Sequence, residues 1–286
     1  MAMNNMKNSS IKRNRLFSKG MIYFIIILLS VLFLIPFLWL LSTSLKNAQE
    51  IYQFPPTVIP GQLYLKNYYL AVTKMPFFSY TLNTLIITVL CVVGQVISSS
   101  MVAYSVAKIK WKGSKIIFPI IVATMMIPSQ VTMIPLYMIF TKMKLVGTIL
   151  PLTLPAFFGG AYYIFLMRQF FKTIPDSLIE AATIDGAKEG TIFWRIMVPL
   201  CKPAMTSVAI FTFLGTWSDF LGPLLYLNKQ EQYTLSLGLQ AFMQEHYVEW
   251  GPLMAASAIF TVPIIILFFF AQSYFIEGIT VTGMKG

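Results

Sequence analysis

Six long uncharged runs alternate with short polar intervals along the chain. Met21 to Leu41, Met75 to Ala107, Ile116 to Thr141, Leu145 to Met167 and Trp250 to Ile276 carry no charged residue, and Pro203 to Asn228 carries only Asp219. A bilayer span needs about 20 mostly apolar residues. Backbone groups in hydrocarbon must bond within their own segment, so such runs form helices. The pattern predicts spans over about 21–43, 76–107, 116–141, 145–168, 203–228 and 250–276. Alternation of period two is nowhere sustained, which argues against an outer-membrane barrel. The expected fold is an all-α integral membrane protein with six transmembrane helices. It is read as a single membrane domain over residues 1–286, with a charged loop at 173–202 inside it.

Composition agrees. The chain is 57% hydrophobic and only 11% charged, with a mean hydropathy of +0.73. A soluble domain carries roughly 25% charged residues. Lys12, Arg13, Arg15 and Lys19 precede the first run and imitate a secretory signal. The run is too long and lacks a small-residue cleavage site, so it reads as an uncleaved first helix.

The formal charge of +11 invites a nucleic-acid reading, but its distribution points elsewhere. With six spans, the N-terminal side holds 15 of the 21 basic residues and the opposite side six. Basic residues concentrate on cytoplasmic loops. Both termini and the 168–202 interval are therefore expected in the cytoplasm, with lipid rather than nucleic acid as the surrounding partner.

Other features carry less. Cys91 and Cys201 are expected too far apart to bridge. His246, the single histidine, has no neighbouring ligand for a metal site. The 17 methionines read as adaptable packing. Pro119, Pro128, Pro135, Pro151, Pro155 and Gly159-Gly160 mark breaks that suit either a flexible pathway lining or ordinary kinked membrane helices. The outer loop from Ser44 to Lys74, with Phe54-Pro55-Pro56 and Ile59-Pro60-Gly61, either lies on the bilayer or docks something.

The 173–202 interval is the most specific part. Thr173, Pro175 and Asp176 read as a helix start by capping-box spacing. That helix should run to about Ile184, placing Leu178, Ala181, Ala182 and Asp185 on one face. Gly186 is a left-handed stop. A second short helix follows over about Glu189 to Met197, and Pro199 and Pro203 separate it from the next span. Small alanines admit another backbone closely, and Glu180 offers a fixed charge to a basic partner. The same hairpin could instead serve only its own protein.

The spacing Glu180-Ala181-Ala182, three residues, Gly186, nine residues, Ile196-x-Val198-Pro199 resembles the EAA signature of ABC importer permeases, with Val198 standing where that pattern has leucine. Trp217-Ser218-Asp219-Phe220, Tyr233-Thr234-Leu235 and the tail Gly278-Ile279-Thr280-x2-Gly283-x-Lys285-Gly286 are similar to carbohydrate-uptake permeases of the MalG type. The resemblance covers nearly the whole chain. It implies the ABC importer permease fold and a subunit that moves a sugar or oligosaccharide inward. The implied partners are a second homologous permease, a cytoplasmic ABC ATPase dimer and an extracytoplasmic solute-binding protein. The implied location is the bacterial cytoplasmic membrane.

It further implies an ATPase-coupling role for Glu180, Ala181, Ala182, Asp185, Gly186, Ile196 and Pro199, and an ATPase-contacting tail at Gly283, Lys285 and Gly286. The chain has no G-x-x-x-x-G-K-[ST] phosphate loop. It is therefore expected to be non-catalytic and to bind no cofactor or metal, leaving ATP and Mg to the partner ATPase. Asp219, charged within a predicted span, lines a substrate path or gate with Trp217 and Phe220, or else caps a neighbouring helix. Alternative cargoes are polyols, phosphorylated solutes or peptides. An ion-coupled secondary transporter is the alternative outside the family, and the scarcity of intramembrane ionisable residues speaks against it.

Overall fold

The computed structural model describes the backbone of residues 2–243 and 247–283, and the side chains of residues 18–243 and 247–272. It is helical almost throughout. Among the described residues the extended pairing is one bridge between Met243 and Val248. The helices used below are α1 (Ala2–Ser44), α2 (Phe77–Lys108), α3 (Ser114–Thr124), α4 (Ser129–Lys142), α5 (Ala161–Thr173), α6 (Asp176–Ile184), α7 (Lys202–Trp217), α8 (Leu221–Tyr226) and α9 (Trp250–Gly283).

Among the described residues, four stretches are long and apolar enough to cross a membrane: Ser18–Ser44, Phe77–Lys108, Leu150–Thr173 and Trp250–Gln272. Two further candidates are bent pairs. α3 and α4 meet at 101°, and the stretch Glu189–Leu200 meets α7 at 78°. The described residues thus hold four to six candidate spans.

Three of the uncharged intervals are not the single helices their composition suggests. Over 116–141, Pro128 takes an extended ψ of 136° and starts α4 afresh. Proline has no N–H and disfavours a helical residue before it. The 145–168 interval begins as a turn, passes through a 3-10 stretch at Leu154–Phe158 and is interrupted at Gly159, whose φ is +79°. The 203–228 interval stops at Trp217 and resumes at Leu221.

Breaks of this kind need partners for the freed carbonyls, and α2 supplies two. Ser98 Oγ donates to Ala156 O at 2.8 Å, and Cys91 Sγ approaches Leu152 O at 3.3 Å. Gly94 lets the Phe157 ring lie directly on α2, since a Cβ there would stand 2.8 Å from the ring.

The chain forms two compact units. One comprises residues 1–71 with Phe242–Ile259. In it the loop after α1 is tied by its own groups. Buried Asn67 donates to Ser44 O at 2.9 Å and to Lys46 O at 2.7 Å. The Lys46 ammonium bonds Thr57 O and lies 4.8 Å from the Trp39 ring centre. Glu50 accepts from Gly61 N at 2.7 Å. The other unit comprises Val72–Ala241 and Phe260–Gly286. Its core joins Ala103 and Tyr104 of α2, Met167 and Phe171 of α5, and Phe193 and Met197 of the charged interval. Both cysteines are free and buried.

Candidate functional site

The charged interval folds as a hairpin. α6 starts after Pro175, which has extended geometry and no side-chain cap. Thr173 does not cap it. Its hydroxyl donates back to Phe170 O at 2.8 Å as the last residue of α5. The capping-box reading is thereby corrected: the proline, not the threonine, sets the start.

α6 ends at Ile184, and Gly186 has φ +78°. Gly186 N donates to Thr183 O at 3.0 Å and Ala187 N to Ala182 O at 2.9 Å. This pair of bonds is the Schellman closure that a left-handed glycine permits. The second limb runs as a helical turn at Glu189–Ile192, a π-helical turn at Phe193–Met197 and a last turn at Val198–Leu200. Pro199 cannot donate to the preceding turn, and the wider π turn lies just before it.

The motif residues divide between two faces. Ala182 is only 9% exposed and packs into the core cluster. Ile196 is half-buried against the same cluster. Glu180, Ala181, Asp185, Gly186 and Pro199 are exposed. The expected common face of Leu178, Ala181, Ala182 and Asp185 is therefore split: Ala182 sits at its edge and turns inward, while the other three face out. Among the described residues Glu180 has no ion-pair partner. Sequence reasoning missed Ile184, which is 86% exposed and stands on the outward face one turn after Ala181. An aliphatic residue beside the stop glycine was the available signal.

The hairpin is joined to α2 by polar contacts. Lys108 Nζ meets Asp176 Oδ1 at 2.5 Å. Hydrogen bonding by Lys108, and then its charge, hold the Asp176 carboxyl below the usual aspartate range. Tyr104 Oη donates to Glu189 Oε2 at 2.8 Å.

Trp217, Asp219 and Phe220 are not inside one helix, as their uncharged surroundings suggest. Trp217 ends α7 and is buried; its Nε1 donates to Phe260 O at 3.2 Å, and its ring stacks on Phe213. Asp219 lies in the break, where Oδ1 accepts from Gly222 N at 3.1 Å and its carbonyl accepts from Ser236 Oγ at 2.5 Å. It thereby holds a first-turn amide of α8 from the position just before that helix's N-cap, Phe220. It also lines a cavity of about 260 Å3 with Thr84, Ile87, Leu152, Thr216 and Thr234. Phe220 is partly exposed beside it, outside that lining. Asp219 thus holds a backbone amide and also faces a cavity. Gly283 closes α9 and is described only in its backbone, while His246, Lys285 and Gly286 lie outside the described residues.

The described residues thus form a bent helical membrane chain whose exposed hairpin is stopped by a glycine. The family described as binding-protein-dependent transport system inner membrane component matches residues 95–281, and the chain belongs to that family. The arabinooligosaccharides transport system permease protein AraQ of Halalkalibacterium halodurans is 35% identical over 254 residues, covering 88% of this chain and 91% of its own. The probable starch degradation products transport system permease protein AmyC of Thermoanaerobacterium thermosulfurigenes is 35% identical over 268 residues, covering 93% and 97%. Among solved structures, a bacterial ABC transporter involved in the import of alginate superposes with a TM-score of 0.80. That likeness, at 23% identity over 90% of this chain and 96% of the other, shows the fold.

Proposed function

We propose that this chain is the membrane-spanning subunit of an ATP-driven importer that carries a sugar or oligosaccharide into the cytoplasm. It pairs with a second permease, receives solute from an extracytoplasmic binding protein and docks on a separate ATPase dimer that uses ATP and Mg. The observation that carries the reading is the hairpin, within a chain of this family. It presents Ala181, Ile184 and the unpaired Glu180 on one exposed face. The small alanine admits a close backbone, the isoleucine offers an apolar knob, and Glu180 offers a charge to a basic residue. Asp185, Gly186 and Pro199 complete the outward surface. Ala182 and Ile196 brace it from behind.

The sugar assignment is supported by relatives whose names specify arabinooligosaccharides, starch degradation products and diacetylchitobiose. The basic-residue distribution supports a cytoplasmic hairpin and cytoplasmic termini. The tail at Gly283, Lys285 and Gly286 is assigned to the ATPase dimer. Asp219, with Trp217 and Phe220 around it, is assigned to the solute path. In operation, closure of the ATPase pair displaces the hairpin, and the helices attached to it switch the cavity's access from outside to inside.

Glu180→Arg tests the docking role. The variant should insert in the membrane normally but lose ATPase co-purification or sugar-driven ATP hydrolysis. Full transport by that variant would refute docking through this face.

A further inference from the structure

Three contacts in the hairpin are left unused by the docking role. Lys108 ends α2, and its side chain is only 5% exposed. Its ammonium donates to Ile174 O at 2.6 Å and to Asp176 at 2.5 Å. One turn earlier on α2, Tyr104 is 4% exposed and bonds Glu189 at 2.8 Å. Residues four apart share a helix face. One stripe of α2 thus grips both limbs of the hairpin where each begins, at Ile174–Asp176 and at Glu189.

Lys108 is buried but its partner Asp176 is 72% exposed, so the ion pair by itself contributes little. The tie rests on geometry: the one ammonium holds both the Ile174 carbonyl and the Asp176 carboxylate. The Tyr104 ring is held between Phe171 at 5.9 Å and Phe193 at 5.3 Å, so its hydroxyl has one direction to point.

The cavity beside Asp219 can be reached from the hairpin through three elements. α7 brings Gly215 and Thr216 to it but is separated from the hairpin by the 78° bend. The stretch containing Leu152 is interrupted at Gly159. α2 brings Thr84 and Ile87 and is one helix of 32 residues with no proline. At 1.5 Å per residue, Lys108 and Thr84 lie about 36 Å apart on a single rod.

We propose that Tyr104 and Lys108 are positioning residues that make α2 the lever between hairpin and cavity. A displacement of the hairpin then moves Thr84 and Ile87 directly, without passing through a bend. The source of that displacement rests on the proposed function; the grip itself does not.

The test has two arms. In the purified full-length chain, hydrogen exchange across residues 176–192 should quicken in Lys108→Met and in Tyr104→Phe. In the complex with its ATPase, second permease and binding protein, the readout is sugar moved per ATP hydrolysed. The panel is arabinooligosaccharides, maltooligosaccharides and diacetylchitobiose. Each variant should lower that ratio about fivefold, the low end of typical site-to-site coupling. Tyr104→Phe combined with Glu189→Ala should be no worse than either alone, and Lys108→Arg should restore most of the ratio. Unchanged exchange overturns the grip. Faster exchange with an unchanged ratio overturns the lever and leaves a merely structural tie. If the wild-type complex shows no ATP-driven uptake, the lever falls together with the proposed function, whereas uptake with an unchanged ratio sinks the lever alone.

Discussion

Replacing Gly186 by alanine should loosen the hairpin, whereas the same change at Gly190 should not. A Cβ at either position would meet nothing within 4 Å, so neither substitution creates a clash. They differ in backbone alone. Gly186 holds φ +78°, and Gly190 sits in the helical turn Glu189–Ile192. An L residue in the left-handed conformation costs about 1–2 kcal/mol. Alanine in place of a helical glycine instead contributes roughly 0.5–1 kcal/mol of stability. A loss of about 1–2 kcal/mol raises the open population roughly 5–30-fold. The amides that report it are those of Asp185, Gly186 and Ala187, which bond to Ala181, Thr183 and Ala182. Hydrogen exchange by mass spectrometry on the purified protein should show them accelerated by that factor in Gly186→Ala. Exchange in Gly190→Ala should be unchanged or slower, and Gly186→Asn should fall between, since asparagine visits the left-handed region more readily. Equal behaviour of the two alanine variants would refute the backbone argument.

Three further substitutions separate charge from capping and pairing. Asp219→Asn keeps an oxygen for Gly222 N, so it should fold normally while sugar uptake falls. Asp219→Ala should in addition lose about 1 kcal/mol of thermal stability through the missing cap. Unchanged uptake in Asp219→Asn would leave capping as the residue's whole role. For Asp176, the carboxyl is held below its ordinary value of 3.8 by Lys108. The pair's contribution is therefore fully present above that value and is lost as the pH falls through the lower, folded-state value. A carboxyl NMR titration of Asp176 should move up toward the ordinary value in Lys108→Met, with Lys110 still lowering it; an unaltered titration would show that Lys108 is not the cause.

The uncharged runs made the helical membrane character legible, and residue spacing placed the hairpin and its glycine stop. Prolines did not reveal which positions break a helix. Pro36, Pro119, Pro135 and Pro263 lie inside helices, whereas Pro128 begins one. The contacts of Ser98 and Cys91 with the 150–158 stretch are pairings across about 60 residues that a linear pattern does not contain. Asp219 was conspicuous as a lone charge, yet its capping depends on Gly222 being bare. A Cβ at Gly222 would overlap the carboxylate. Helical period likewise put Ala181 and Ala182 near each other without saying that one faces out and the other in. That division follows from Phe171, Phe193 and Met197 filling the space behind α6.

Sugar movement driven by energy received through the hairpin is measured most directly as oligosaccharide uptake and ATP hydrolysis by the purified complex in proteoliposomes, with the binding protein present. One of the panel sugars should stimulate hydrolysis, uptake should stop without ATP, and Glu180→Arg should abolish both responses. Uptake that persists without ATP and follows an imposed ion gradient would contradict energy transfer through the hairpin.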